Sequence, residues 1–213
     1  MAALVLATQT APGSPAAGNG AVWYDTTGAL LMWKDSAGRC YGKSFNAATA
    51  AQSGFASDTY LTNSDLLVPS CSTQAKTFFL WRLCATKTAA GVATPVYTLR
   101  IGSARTTSDT ARVALTGPAQ TAAVDAGTLN ILATVRNVGA SGVIQASAWW
   151  DHQGTLASST GGVGFANDNT GHANGASSGF DNTALGGLYV GLSINGGASA
   201  AWTVTQVVSE ATW

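Results

Sequence analysis

Charge is almost missing from this chain. Its 213 residues carry ten Lys plus Arg, ten Asp plus Glu and a formal charge of zero. That is 9% charged residues, against about 25% in an ordinary soluble domain. Four are Lys, and Glu210 is the single Glu. Long amphipathic helices therefore lack the residues that clothe a helix's wet face. Charge-driven disorder is excluded as well, because 46% of the chain is hydrophobic. A neutral chain has little with which to displace counterions from phosphate, so no nucleic-acid partner is expected. The surface falls to Thr, Ser, Asn, Gln and Gly. That is the coat of a β protein.

A chain of this length can form one large β domain, with or without a small appendage, and can bury a substantial core without staples. Cys40, Cys71 and Cys84 are odd in number and show no Cys/His spacing suited to zinc, so free buried thiols are expected. The start at Met1 lacks a basic n-region, and its apolar run is short for a signal peptide. No stretch approaches the roughly 20 apolar residues of a membrane span. The expectation is synthesis in the cytoplasm without a signal peptide, and no membrane insertion.

The first segment differs from the rest. Residues 11–20 are a Pro/Gly/small-residue run that suits neither helix nor central strand. Ala21–Asp25 and Ala29–Lys34 flank Thr26-Thr27-Gly28 and read as a β-hairpin. Asp35–Gly38 is a second turn, leading into Arg39–Lys43. Such a unit has too few apolar groups to fold alone and should pack on something else. Residues 1–45 are thus expected to form a small element that docks on something else. Residues 46–57 are a small-residue connector with room for one or two helical turns.

Residues 58–213 break into strand-length segments: Thr59–Val68, Thr77–Thr86, Val96–Ile101, Ala111–Thr116, Thr128–Val138, Val143–His152, Gly187–Asn195 and Ala200–Glu210. Leu129, Ile131, Ala133 and Val135 share one face of their strand. In the last segment Trp202, Val204 and Val208 are expected opposite Thr203, Thr205 and Val207. Period-two alternation with Thr on the wet face marks half-buried strands. Eight such segments without a clear helix between them predict an all-β, antiparallel jelly-roll β-sandwich preceded by the N-terminal hairpin region. Leu156–Ala184 reads as a long Gly/Ser/Asn loop, a kind that is functional or ordered by a partner.

Several short motifs share a style. At the start stand Ala11-Pro-Gly-Ser-Pro-Ala-Ala-Gly18, Val22-Trp-Tyr-Asp25, Gly28-Ala-Leu30 and Lys34-Asp35. The middle carries Trp81-Arg82, Lys87-Thr-Ala-Ala-Gly91, Arg100-Ile-Gly102, Asp109-Thr-Ala111 and Asp125-Ala-Gly127, and the close runs from Gly191 to Val207. In these motifs the chain resembles tailed-bacteriophage virion structural proteins of the fibre, spike or head-decoration type, with a jelly-roll domain. The resemblance implies a virion component that is not an enzyme and forms a homotrimer. It also implies contacts with other virion proteins through the N-terminal region, and makes host-surface glycan a further candidate partner.

Motifs that carry chemistry are sparse. Gly175-Ala-Ser-Ser-Gly179 satisfies G-x-S-x-G by letter, but Ser177 lacks the strand–elbow–helix context, and His152 and His172 are the only candidate bases. Glycoside hydrolysis needs two facing carboxyl groups; here the carboxylates are scattered singly, mostly in turns such as Asp25, Asp35 and Asp125. Asn167-Asp-Asn169 with Asp181 and Asn182 offers few of the six to eight oxygens calcium takes. No catalytic, cofactor or metal residue is therefore expected.

Seven tryptophans stand out. Trp149 and Trp150 are adjacent in a strand, so one faces the core and the other faces solvent, a loop or a second chain. Trp149, Trp150 and His152 are the candidates for a subunit interface or glycan contact. Trp23, Tyr24 and Trp33 are the candidates for docking on a particle. Trp81 and Trp202 are expected in the core. The rival from another class is a free carbohydrate-binding module or a glycan-degrading enzyme.

Overall fold

The computed structural model describes residues 6, 8–27, 30–48, 50–117, 120, 122–152 and 173–213. Among them the regular structure is all strand. A small sheet holds β1 (Thr8–Gln9), β2 (Ala21–Asp25), β3 (Leu30–Lys34) and β4 (Cys40–Tyr41), in that order. The β2–β3 hairpin lies where the sequence predicts it, and β1 adds to β2 in parallel. The turn into β4 closes with Gly38 N–H donating to Asp35 O at 3.0 Å. Gly38 sits there at φ +83°, a conformation that costs glycine least.

The rest is a two-sheet sandwich. The large sheet runs β14 (Ala173–Ala176), β13 (Val143–His152), β12 (Asp125–Asn137), β9 (Phe78–Lys87), β16 (Trp202–Thr212), β5 (Lys43–Ala48), with β6 (Gln52–Ser53) also on β16. The second sheet runs β11 (Thr110–Thr116), β10 (Val96–Gly102), β15 (Tyr189–Asn195), β7 (Thr59–Tyr60), with β8 (Leu66–Leu67) also on β15. Set aside the β13–β14 extension, and one sheet reads first–last–third–sixth strand while the other reads second–seventh–fourth–fifth. This is the jelly-roll order, in which the sandwich's first and last strands lie side by side as β5 and β16.

Alternation built these sheets. Leu129, Ile131, Ala133 and Val135 of β12 are buried on one face, as are Phe79, Trp81, Leu83 and Ala85 of β9. They meet Tyr97, Leu99 and Ile101 of β10 and Val190, Leu192 and Ile194 of β15 in a single core. Each fully buried side chain of that size contributes about 1.5–3 kcal/mol. Trp81 and Trp202 lie in the core as expected, and Trp213 joins them edge-on to Phe79 at 5.4 Å.

Four expectations are corrected. Thr59–Val68 is two short strands, because Asn63 turns the chain at φ +59°. Buried Ser64 holds that break, its hydroxyl donating to Leu61 O at 2.8 Å and accepting from Leu192 N–H at 2.9 Å. Strand β16 carries a bulge between Val204 and Gln206, so Val207 is buried and Val208 exposed, the reverse of the simple alternation. Residues 46–57 hold no helical turn among those described; β5 continues to Ala48 and β6 follows. The boundary at residue 45 therefore falls within one strand, where Phe45 pairs with Glu210 and Asn46 with Ser209.

The small sheet docks on the sandwich through loop 68–77. Trp23 and Met32 are fully buried beneath it. Asp25 is buried too, and its carboxylate accepts hydrogen bonds from Thr27 N–H (3.1 Å), Trp23 Nε1–H (3.4 Å), and the backbone N–H and hydroxyl of Ser70. The Gln74 amide bonds both backbone groups of Cys40, at 3.1 and 2.8 Å. A buried carboxylate persists only where donors replace its lost water; its own hairpin and loop 68–77 supply them here.

Candidate functional site

Large apolar side chains stand outside the core on two faces. On the outer face of the large sheet, one row across the strands reads Phe45, Glu210, Leu80, Leu132, Ser147. The next reads Ala47, Val208, Arg82, Asn130, Trp149. Phe45 is 84% exposed and Val208 41% exposed, while Phe78, Leu80, Leu132 and Trp149 are half-buried. A groove of about 450 Å³ beside them is lined by Lys76, Phe78, Leu132, Thr134, Val135 and Arg136. The outer face of an antiparallel sheet is ordinarily the polar one; this one is interrupted by a hydrophobic band.

The small sheet presents the second face. Val22 pairs with Trp33 and Tyr24 with Leu31, and all four point away from the side that buries Trp23 and Met32. Leu31 is 55% exposed and Trp33 48%. The Trp33 ring stacks on Tyr41 at 5.5 Å with 9° between planes. Of the three docking candidates, Tyr24 and Trp33 are on this surface. Trp23 is not: strand alternation turns it inward, where it packs as core.

The Trp149–Trp150 pair divides as a strand requires. Trp150 faces inward, 5.1 Å from the Tyr97 ring and 6.4 Å from Trp202, and is thereby removed as an interface candidate. Trp149 faces outward beside Asn130. His152 ends β13; its side chain lies outside the described residues, as do His172, Asn167-Asp-Asn169 and residues 156–172 of the expected Leu156–Ala184 loop, whose described remainder is not loop throughout but holds β14 paired with β13.

The remaining polar candidates act on the backbone. Ser177 is buried, and its hydroxyl accepts from Ile144 N–H at 3.0 Å, closing the strand end after β14. Asp181 accepts from Thr183 N–H (3.0 Å) and its hydroxyl (2.7 Å); these bonds hold its carboxyl below the usual range. Asn182 is buried and bridges a turn, accepting from Gly139 N–H and donating to Asn137 O, both at 2.9 Å. Among the described residues no group of three His, Cys, Asp or Glu could hold a metal ion. Likewise, no helix there is long and apolar enough to cross a membrane.

One constellation was missed from sequence. Asp58, Asp65, Arg100, Arg105 and Asp109 converge at one end of the second sheet. Arg100 joins Asp58 and donates Nη1–H to Thr107 O (2.9 Å) and Asp109 O (2.7 Å). Arg105 joins Asp65 at 3.0 Å and lies over the Tyr189 ring. The Asp109 carboxylate accepts from the backbone N–H of Ala104 and Arg105. Burial, with the nearby charges of Asp65 and Asp109, pushes the Tyr60 hydroxyl far up. These charges tie loops 61–65 and 102–109 together. Their spacing in sequence gives no sign of it.

No protein-family model, no curated protein and no solved structure matches this chain.

Proposed function

We propose that this chain is a non-enzymatic structural protein of a bacteriophage virion. In this reading it is a homotrimeric fibre, spike or decoration protein on the tail or head, contributing to host attachment. One observation carries the reading. The core is complete without Phe45, Val208, Trp149, Val22, Leu31 and Trp33, yet these residues crowd two outer faces of a molecule otherwise poor in charge. Contiguous exposed apolar surface favours association, and a nearly neutral surface can be covered without desolvating many ions. The outer face of the large sheet serves the subunit contact, with Trp149 in it. The outer face of the small sheet, with Tyr24 and Trp33, serves the contact with other virion proteins.

The test is whether the chain travels with particles. Virions purified from the culture that produces it should contain the chain in stoichiometric amount, and antibody-labelled electron microscopy should mark one defined position on head or tail. Particles free of it would overturn the proposal. A free glycan-binding module or glycan-degrading enzyme is the second reading, favoured by the exposed Trp33–Tyr41 stack. A glycan array with a product assay separates the two, since turnover abolished by changing one carboxylate would replace the structural reading.

A further inference from the structure

We propose that Cys40 and Cys71 are a redox-active pair that closes to a disulfide in oxidising surroundings and staples the small sheet to the sandwich. The proposal stands apart from the virion reading and rests on how loop 68–77 is held against β4. Cys71 lies between two residues that are each fastened to the small sheet. Ser70, just before it, bonds the buried Asp25 and accepts from Ala11 N–H at 2.8 Å. Gln74, three residues on, clamps both backbone groups of Cys40. Cys40 is buried in the core cluster, Cys71 packs against the same cluster, and the two thiols lie close enough for each to shift the other's proton affinity. A disulfide needs its partners brought within a narrow separation; the anchors on both sides of Cys71 hold its loop against the small sheet that carries Cys40.

The pair is also polarised. The neighbouring Cys71 thiol favours the Cys40 thiolate and the charge of Lys34 assists, against the opposing effects of burial and of the Asp25 and Asp35 charges. The same contact, together with burial, holds the proton on Cys71. Cys40 lines a groove of about 500 Å³ whose walls include Arg39, Gln74, Lys76 and Trp213; Arg39 is paired with Asp35, and Lys76 flanks the approach of an anionic disulfide. With oxidised glutathione as oxidant, the Cys40 thiolate attacks one of its sulfurs, forming a mixed disulfide and expelling one glutathione thiolate. Cys71 then gives up its proton and attacks the Cys40 sulfur, expelling the second. Two protein thiols and one oxidised glutathione become one protein disulfide and two reduced glutathiones. Cys84 has no such partner; it lies on the outer face of the large sheet beside Thr128 and Gln206.

The test is a titration of the whole folded chain with mixtures of oxidised and reduced glutathione, followed by acid quench, alkylation and peptide mapping. The expected product is a Cys40–Cys71 cross-linked peptide with Cys84 alkylated. Closing a loop of about 30 residues should raise the thermal midpoint by about 5 °C or more. Cys84→Ser should keep both effects and Cys71→Ser should lose both. Glutathione adducts at Cys40 or Cys71 that never resolve would overturn the proposal, as would three alkylatable thiols after full exposure to oxidant. If Cys71→Ser fails to fold, the peptide map of the unsubstituted chain still decides.

Discussion

The small sheet and the sandwich are built from the same residue types but solve burial differently. The sandwich closes on itself, with β9, β12 and β16 facing β10 and β15 across one apolar core. The small sheet has only one side to bury, and its inward residues Trp23, Met32 and Cys40 complete their burial against the sandwich's loops. Its attachment is largely polar, through Asp25, Ser70 and Gln74. A unit of this size gains too little from its own apolar area to offset its chain entropy. The lesson is that the sandwich carries stability, while the small sheet borrows stability and offers an apolar face in return.

That contrast can be broken or sharpened by substitution. The largest effect should come from Trp81→Ala, which removes a fully buried ring stacked on Phe79 and bonded to Ser64 O at 2.7 Å. It should cost about 3–5 kcal/mol, read by urea unfolding, and destabilise both regions together. Asp25→Ala should cost about 2–3 kcal/mol, since it strands donors from Ser70, Thr27 and Trp23. Hydrogen exchange should quicken in β2 and β3 while β9 and β12 keep their protection; equal loss throughout would erase the distinction. Asn182→Ala, which opens the turn at Gly139, should cost about 1–2 kcal/mol, felt by both regions because the small sheet depends on the sandwich. The smallest effect belongs to Trp33→Ser, within about 0.5 kcal/mol by thermal unfolding, while attachment of the chain to stripped particles is lost.

Much of the sandwich was legible because its strands obey a period of two. Leu129, Ile131, Ala133 and Val135 share the buried face, and β12 and β13 form where that pattern and the segments Thr128–Val138 and Val143–His152 predict. The β16 bulge was not legible: one extra residue at Thr205 moves Val207 inward, and nothing local in Val-Thr-Gln-Val announces it. The break at Asn63 and Ser64 was hidden for a similar reason, since the partner that holds it, Leu192, is far along the chain. The candidate surface was half legible. An adjacent Trp pair guarantees one outward ring, but which ring depends on the register of β13 against β12. Trp23 was misjudged because aromatic content was read without assigning its parity against Tyr24 and Val22. Phe45 was passed over, being placed at the edge of an appendage when it is a central residue of a sandwich strand.

The claim at the centre of this account is that the outer face of the large sheet is a contact between copies of the chain. Sedimentation equilibrium of the purified protein tests it most directly. The account predicts a species of three times the chain mass, reduced to the single-chain mass by Phe45→Glu with folding intact. A stable monomer at all concentrations, or a trimer indifferent to Phe45→Glu, would contradict it.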